Sequence, residues 1–474
     1  MKNGIRIIIG FCAGVLAASA LALGLFINYN RTIISPASQG EFPAIMEVYN
    51  RLRAMHYFYE EGDSPDLVEG AIQGMIDALG DPYSTFFTME EFEGFTEHLG
   101  GAFYGIGAEV TTISGEITIV APMPHSPAEE AGVLPNDIVI EVDGNDVTGQ
   151  SLQAVISQIR GPEGSEVVLG IIRAGSPEPL EITIIRGRIA QETVRYHMIE
   201  GTSVGYVQVT TFGENTAREF EDAIEALEAE GMEALMVDLR NNGGGYMQAV
   251  TQMVDYLLPE GKRIVRSQDR TGAGNDHMTT DRTPGKDYPI VTLINGGSAS
   301  ASEIFAAAMK EAGGQPVVGT TSFGKGTVQV TLPLDERSML KITTQSWLTS
   351  DGNWINEVGV EPTLFVEAPE FYSFFQVALP DGEALEFDQV SLAIQNAQRI
   401  LEALGYQEDR TDGYFDQATL EAVKAFQENQ GLEINGMIDG DTARALTMAL
   451  REKIRDDAYD SQLQAALELL GEQE

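Results

Sequence analysis

Cysteine and histidine are scarce in this sequence. Cys12 is the only cysteine among 474 residues, so the chain cannot form an intramolecular disulfide. The five histidines fall in unrelated segments without metal-ligand spacing: His56, His98, His125, His197 and His277. Because the sequence also has no zinc, phosphate-loop or dinucleotide motif, we expect a protein that uses no metal and no other cofactor.

Basic residues are few as well. Lysine and arginine number 29 against 72 aspartates and glutamates, which gives a formal net charge of -43. So acidic a chain is unsuited to bind nucleic acid or anionic lipid, and its surface is expected to be highly solvated. The length is sufficient for about two to four domains, each with its own core.

One long apolar run lies near the start of the chain. Residues 5–27 are almost wholly apolar, and at about 1.5 Å per residue a helix of this length spans a bilayer. Lys2 and Arg6 precede or enter the run, which predicts a cytoplasmic N-terminus. We interpret residues 1–30 as the signal anchor of a single-pass membrane protein whose remaining chain is extracytoplasmic. A cleaved secretory peptide, and hence a secreted protein, is the alternative.

A candidate nucleophile follows a short apolar segment. Residues 290–294 are typical of a buried strand, and a run of small residues then leads into an alanine-rich helical pattern. Ser300 therefore stands where a strand becomes a helix. The first backbone N–H groups of a helix have no partner within it, so they can stabilise an oxyanion that forms at such a serine.

A serine hydroxyl needs a neighbour that takes its proton, and Lys325 is the candidate. Lys325 lies between two glycines at the start of a β-rich run. Because side chains alternate along a strand, Lys325, Thr327 and Gln329 are predicted to share one face. A lysine acts as a general base only when neutral, so its pKa must lie well below the usual value of about 10.4.

At these residues the sequence resembles the C-terminal processing peptidases, which are tail-specific serine proteases with a Ser/Lys dyad. The motif Ser-Ala-Ser-Ala-Ser-Glu-Ile occupies residues 298–304, and Gly-Lys-Gly-x-x-Gln occupies residues 324–329. The resemblance implies Ser300 as nucleophile, Lys325 as general base and Gln329 as the residue that orients the lysine. A Ser-His-Asp site is the alternative, and His277 is the histidine to check for it.

The resemblance also implies an oxyanion hole made of two backbone amides. One comes from the glycine-rich loop 238–245, which directly follows a predicted buried strand, and Ala301 supplies the other. We select Gly244 as the donor from this loop. Gly243 stands where the family often has proline, so the choice among the glycines 243–245 is left open.

Residues 99–188 resemble a PDZ domain. The pattern of residues 127–144 predicts a short helix, a turn, a strand and another turn, and residues 152–159 predict a further helix. The glycine turn that precedes them can present backbone N–H groups to a carboxylate. The resemblance implies that this domain recognises the free C-terminus of a protein or peptide. The residues of the binding turn are Tyr104, Gly105, Ile106 and Gly107.

The two ends of the extracytoplasmic part are helical. Apolar residues at helical spacing predict two helices, over residues 42–53 and 67–79. Residues 31–98 are similar to the N-terminal helical cap of the same peptidases, and the family suggests a homodimer formed in part through this cap. Residues 385–450 contain two Asp/Asn-Gly turns and resemble the peptidoglycan-binding helical module of cell-wall enzymes. Residues 451–474 are expected to form a charged helix that frays.

Together these patterns predict a multidomain α/β protein. It consists of a helical N-terminal cap, a β-rich PDZ domain, an α/β serine protease core over residues 189–384, and an all-α wall-binding domain. The predicted function is that of a membrane-anchored endopeptidase that selects protein C-termini. A non-catalytic scaffold of the cell envelope is the alternative, and the set Ser300, Lys325 and Gln329 favours the enzyme.

Overall fold

The computed structural model describes residues 42–60, 66–100, 102–113, 115–123, 126–173, 176, 178–190, 192–282, 284–335, 337–379, 382–406 and 410–471. The chain divides into two compact units, Met1–Phe86 and Phe87–Glu474. The predicted signal anchor, residues 1–30, lies outside the described residues. No helix within the ranges given above is long and apolar enough to cross a membrane.

Two helices of the first unit lie where the apolar pattern predicts them, α1 (Phe42–Met55) and α2 (Leu67–Asp77). The carboxylate of Asp66 accepts hydrogen bonds from the first-turn N–H groups of Val68 and Glu69, which explains why α2 begins there. Helix α1 buries none of its residues. Its exposed apolar side chains include Phe42, Met46, Val48 and Met55.

The second unit opens with a link to the β-rich domain. Strand β1 (Thr85–Thr88) spans the boundary between the units, and α3 (Met89–Gly100) follows. Strand β2 (Ala102–Gly105) then pairs with β9 (Gly187–Ala190), so the beginning and end of the PDZ region are held side by side.

The PDZ region is an antiparallel sheet in the order β3-β4-β5-β7-β8, with β6 paired to β5. Two short helices, α4 (Pro127–Glu130) and α5 (Leu152–Ile159), close its core, and α5 has the bounds that the sequence predicts. Ser126 and Ser151 cap them by accepting hydrogen bonds from first-turn N–H groups. The strands are β3 (Ala108–Ile113), β4 (Glu116–Pro122), β5 (Ile138–Val142), β6 (Asn145–Asp146), β7 (Glu166–Ile172) and β8 (Leu180–Ile185).

The protease core contains a sheet in the order β10-β11-β12-β15-β16-β19. Strand β10 is antiparallel to β11, and the remaining neighbours are parallel. Every residue of β12 and β15 is buried, as expected for a parallel sheet covered on both faces. The strands are β10 (Val194–Met198), β11 (Val204–Val209), β12 (Ala234–Asp238), β15 (Ile290–Ile294), β16 (Val317–Gly319) and β19 (Leu364–Phe365).

Three helices cover one face of this sheet: α6 (Thr216–Ala229), α7 (Met247–Leu257) and α8 (Ala301–Glu311). Because side chains alternate along a strand, Leu235 and Val237 pack under these helices while Met236 points to the other face. Only the turn of residues 295–300 separates β15 from α8, so Ser300 lies at the carboxyl end of the sheet.

A second sheet supplies the lysine side of the core. Strand β17 (Thr327–Pro333) pairs with β18 (Ser338–Leu348), which pairs with β13 (Arg263–Asp269), and β13 pairs with β14 (Gly274–Met278). Each of these pairs is antiparallel. Lys325 precedes β17 by one residue, Gly326, whose carbonyl accepts a hydrogen bond from the N–H of Trp347.

The wall-binding region is built from α9 (Leu392–Ala403), α10 (Gln417–Gln430) and α11 (Gly440–Arg455). A buried glutamine organises each of its two turns. Gln398 accepts from the N–H of Gly413 and donates to Thr419 Oγ1, and Gln427 accepts from the N–H of Gly436 and donates to Thr442 Oγ1. The two Asp/Asn-Gly turns are therefore copies of one hydrogen-bonded unit.

The last helix, α12 (Ser461–Leu470), corrects the expectation of a fraying tail over residues 451–474. Leu463, Ala466 and Leu467 are buried against β12, β15 and β16 on the face of the core sheet opposite α6–α8. Burial of three side chains on one helix face stabilises residues 461–470, which contain one charged residue, Glu468. The chain thus leaves the core after β19, forms the wall-binding region, and returns to complete the core.

Candidate active site

Ser300 occupies a strained turn at the start of α8. Its φ of 55° and ψ of -111° lie outside the regions that non-glycine residues usually adopt. Such strain persists only where surrounding contacts hold it, and it is concentrated at functional sites. Here the neighbouring N–H of Ala299 donates to the carbonyl of Asn242 at 3.0 Å, and the N–H of Ser300 donates to Glu303 Oε2 at 2.7 Å.

A cavity of about 290 Å³ lies beside this serine. Ser300, Ala301, Lys325 and Gln329, which the sequence predicts as site residues, all line it. Gly244 packs against the same turn, since a Cβ added to it would lie 2.8 Å from Ser300 Cβ and 3.0 Å from the nitrogen of Ala301. The structure therefore brings the predicted protease residues to one place.

Glu303 joins the serine turn to the lysine loop. This fully buried carboxylate accepts four hydrogen bonds, from the N–H groups of Ser300, Gly324 and Lys325 and from the hydroxyl of Ser322, at 2.6–2.8 Å. Four charge-assisted bonds hold the two loops in a single arrangement. Glu303 stands in the motif of residues 298–304, but no role was predicted for it. A glutamate three residues after a helix-capping serine is nevertheless a recognisable signal of a hydrogen bond back to the start of the helix.

The amide group of Gln329 is held by two threonines. Its Nε2 donates to Thr327 Oγ1 at 2.9 Å and to Thr343 Oγ1 at 3.2 Å. The sequence predicts Thr327 and Gln329 on one face, and both do line the cavity. A β-bulge between Val328 and Gln329 breaks the simple alternation, so Val328 lines the cavity as well. Thr343 was missed because it reaches Gln329 from the neighbouring strand β18.

The remaining walls are largely apolar. Trp347 is buried, and its Nε1 donates to the carbonyl of Lys325 at 3.1 Å. Burial, together with the nearby Glu214 carboxylate, raises the pKa of Tyr246, while Arg188 opposes this shift. At the rim, the ammonium of Lys341 lies 4.5 Å from the ring centre of Phe95. The apolar residues of the lining include Phe95, Met247, Ile304, Val328 and Trp347.

The glycine loop approaches the cavity through more than one residue. Gly243 and Gly245 line it directly, whereas the N–H of Gly244 donates to Asn242 Oδ1 at 2.9 Å. Gly244 has a φ of 105°, which a residue with a side chain rarely adopts. The choice of Gly244 as oxyanion donor stays a prediction, and its bond to Asn242 makes Gly243 and Gly245 the competing donors.

The predicted PDZ turn forms a separate, smaller cavity of about 100 Å³. Gly105, Ile106 and Gly107 line it together with apolar residues of α5, while Tyr104 does not and instead pairs with Arg188 across β2 and β9. The carbonyls of Ile106 and Gly107 accept hydrogen bonds from Ala128 and Met123. Two hydrogen bonds from neighbouring backbone thus anchor the turn.

The histidine alternative receives no support from the geometry. His277 lies on β14, paired with Val265, and does not line the cavity of Ser300. Within the part of the chain that the structure describes, histidine, cysteine, aspartate and glutamate form no group that could hold a metal ion.

A serine in a strained strand-to-helix turn shares a cavity with a half-buried lysine, in an α/β core that carries a PDZ domain. This arrangement is that of a serine protease of the carboxy-terminal processing class. Family models match four segments of the chain. The model of peptidase family S41 matches residues 203–366, a PDZ domain model residues 118–173, and a peptidoglycan binding domain model residues 391–446. The model of the activating protease CtpB N-terminal domain matches residues 32–91.

Whole-chain relatives agree with these matches. Carboxy-terminal processing protease CtpB of Bacillus subtilis is 40% identical over 415 residues, which cover 87% of this chain and 86% of that protein. CtpA of the same organism is 36% identical over 474 residues, 99% of each chain. Among solved structures, the photosystem II D1 C-terminal processing protease is 28% identical with a TM-score of 0.41, covering 67% of this chain and 86% of that one. The chain belongs to peptidase family S41.

Proposed function

We propose that this protease cleaves peptide bonds through a Ser300/Lys325 dyad and an acyl-enzyme. Ser300 Oγ attacks the carbonyl carbon while Lys325 Nζ takes the hydroxyl proton, and backbone N–H groups of Ala301 and the glycine loop stabilise the oxyanion. Lys325 then gives the proton to the leaving amine. A water molecule hydrolyses the ester by the same sequence of steps. The observation that carries this proposal is the single cavity that Ser300, Lys325 and Gln329 share.

Gln329 is assigned the task of orienting Lys325. Two threonine hydroxyls accept hydrogen bonds from its Nε2. Because Nε2 is engaged with them, the amide oxygen Oε1 is assigned as the atom that accepts from the lysine. The apolar walls of the cavity favour the neutral form of a lysine, because an ammonium loses hydration there. Both effects prepare Lys325 to act as a base rather than as a fixed charge.

The PDZ domain is assigned the recognition of substrate C-termini. A free carboxylate is expected at the N–H groups of Gly105, Ile106 and Gly107, with the last side chain in the adjoining cavity. At about 100 Å³ that cavity suits a single small or medium apolar side chain. Substrates are therefore proteins or peptides that end in such a residue.

The location proposed for the enzyme is the outer face of the cell membrane. Residues 1–30 are interpreted as its anchor, and the helical module of residues 391–446 as its contact with peptidoglycan. The enzyme would then cleave proteins in the space between membrane and wall.

The first experiment compares the full-length chain with Ser300→Ala and Lys325→Ala on a peptide that has an apolar free C-terminus. Each variant is expected to lose about 10⁴-fold or more in kcat while remaining folded. Lys262→Ala, which changes an exposed lysine on the same core, is the control and keeps full activity. Activity that survives Ser300→Ala would overturn the nucleophile assignment. A chain that binds the peptide but never cleaves it would favour the scaffold.

A further inference from the structure

The last helix of the chain reaches the loop that supports Ser300. Arg240 lies just after β12, separated from it by Leu239, and its Nη2 lies 2.7 Å from Asp238 Oδ2. The Nη1 of the same guanidinium lies 2.8 Å from Asp460 Oδ2 and 3.1 Å from Gln462 Oε1. Asp460 and Gln462 stand at the start of α12, about 220 residues further along the chain.

The charged groups in this contact are buried, and both carboxylates pair with the one guanidinium. The side chains of Asp238, Asp460 and Arg240 are 2%, 8% and 13% exposed. Burial lowers the pKa of Arg240, but the two carboxylates outweigh it, so its pKa stays above the ordinary value. Removing one partner from such a group leaves a buried charge unpaired, which a protein tolerates poorly.

The loop after Arg240 carries the support of the nucleophile. The carbonyl of Asn242 accepts from the N–H of Ala299 and from the hydroxyl of Ser302, and Asn242 Oδ1 accepts from the N–H of Gly244. Asn241 exchanges hydrogen bonds with Asn295, just before the serine turn. A displacement of Arg240 therefore moves both the glycine loop and the residues that flank Ser300.

We propose that Asp460 and Gln462 are positioning residues for the protease reaction, acting through Arg240 on the loop 241–245. The start of α12 is thereby a working part of the active site, although it follows the wall-binding module in sequence. Gln462 is itself held by its Nε2, which donates to the carbonyl of Val366 at 2.8 Å. This inference rests on the proposed nucleophile and oxyanion loop.

The test is Asp460→Asn in the full-length chain. Asparagine still accepts from the N–H groups of Gln462 and Leu463, so the cap of α12 is kept while the charge facing Arg240 is lost. We expect kcat to fall about tenfold to a hundredfold with KM nearly unchanged, because the reacting geometry shifts while the substrate-binding walls do not. Asp460→Glu, which restores the charge, is expected to recover part of kcat.

Leu467→Ala is the structural control, since it loosens α12 without touching Arg240. It should lower Tm and leave kcat intact below the transition. If Asp460→Asn has wild-type kcat, or loses activity only in proportion to its loss of folded protein, the proposal is overturned. Should Asp460→Asn not fold, Gln462→Leu removes a neutral contact to Arg240 and must show the same selective fall in kcat. Failure of the dyad itself would appear separately, as activity in Ser300→Ala.

Discussion

Glu303 shows how much of the site depends on one buried carboxylate. Its two oxygens accept four hydrogen bonds, one from the serine turn and three from the lysine loop. An acceptor with a full negative charge suits four donors, whereas a neutral amide has only one oxygen to offer. Glu303 is thus the group that sets the separation of Ser300 and Lys325.

Glu303→Gln is expected to cost about 2–4 kcal/mol of unfolding free energy, since an NH₂ group would face N–H donors in a buried place. The kcat should fall by about tenfold or more as the two loops separate. Chemical denaturation and steady-state kinetics measure the two effects. Glu311→Gln, at the other end of α8, serves as the control and should change kcat by less than about twofold. Equal behaviour of the two variants would contradict the role given to Glu303.

Gly244→Ala tests the contact between the glycine loop and the nucleophile. The added methyl group would lie 2.8 Å from the carbonyl oxygen of Ala299 and from Ser300 Cβ, at a φ of 105° that alanine adopts poorly. Peptidase activity is expected to fall by about 10²-fold or more, as when an oxyanion donor is lost. Gly296→Ala, where an added Cβ meets no atom within 4 Å, should retain activity. A fully active Gly244→Ala would contradict the proposal that the close contact between the glycine loop and Ser300 is needed for activity.

Among the helices and strands, α12 is the element whose contribution to the protease core is hardest to infer from its composition. It completes the second face of the core sheet, where Met236, Val291, Leu293 and Val318 would otherwise meet water. A parallel sheet with one bare face is not a stable arrangement. The helix therefore contributes to the stability of the protease core and not only to that of the tail.

Leu463→Ala and Leu469→Ala, on the same helix, measure this contribution. Leu463 is 2% exposed and Leu469 is 47% exposed. The first substitution leaves a cavity under the sheet and is expected to lower the free energy of unfolding by about 2–4 kcal/mol. The second should cost less than about 0.5 kcal/mol. If thermal denaturation finds the two variants alike, α12 does not complete the core.

The same helix marks the limit of prediction from sequence. The apolar face of Leu463, Ala466 and Leu467 has helical spacing, but the strands that it covers precede it by some 150–230 residues. The charged composition of residues 451–474 taken as a whole suggested a fraying end instead. Short-range patterns do predict the helices of the first unit, the strand before Ser300 and the bounds of α5, because each depends on neighbours in sequence.

The residues of the candidate site also fall into those that the sequence predicts and those that it does not. Ser300 and Lys325 could be found because small, recognisable motifs carry them. Thr343 and Asp460 could not, since each reaches the site through a pairing between distant segments. The β-bulge at Val328 illustrates a further limit, because a single extra residue in a strand changes which side chains face the cavity.

At the scale of the whole molecule, the PDZ turn predicts that substrate binding depends on the free C-terminal carboxylate of the substrate. Amidation of the peptide C-terminus is expected to raise KM by about tenfold or more, because the amide presents no charge to the N–H groups of Gly105–Gly107. Gly107→Ala should abolish this difference, since its Cβ would lie 2.5 Å from Ser126 Cβ. Gly149→Ala has a similar φ, +75° against +72°, but meets no atom within 4 Å, so it should keep the difference.

The exposed apolar face of α1 predicts association of two chains. Phe42, Val48 and Met55 are 63%, 57% and 78% exposed, more than a helix of a single copy is expected to leave in water. Val48→Glu should shift the full-length protein toward monomer in sedimentation equilibrium. Asn50→Glu adds the same charge on the opposite side of α1 and should leave the mass unchanged. A wild-type chain that sediments as a monomer would contradict the prediction.

Helix α12 completes the core sheet but follows the wall-binding region in sequence. The order of synthesis therefore decides when the core can be completed. Domains generally fold as they leave the ribosome, the N-terminal ones first. Here the sheet that carries Ser300 stays incomplete until residues 461–470 have emerged, since Leu463 and Leu467 cover its second face. A product cut short anywhere in the wall-binding region would have every motif residue of the protease and still lack a finished core. We expect such an incomplete copy to lack proteolytic activity, which an assay of a chain truncated after residue 455 would measure.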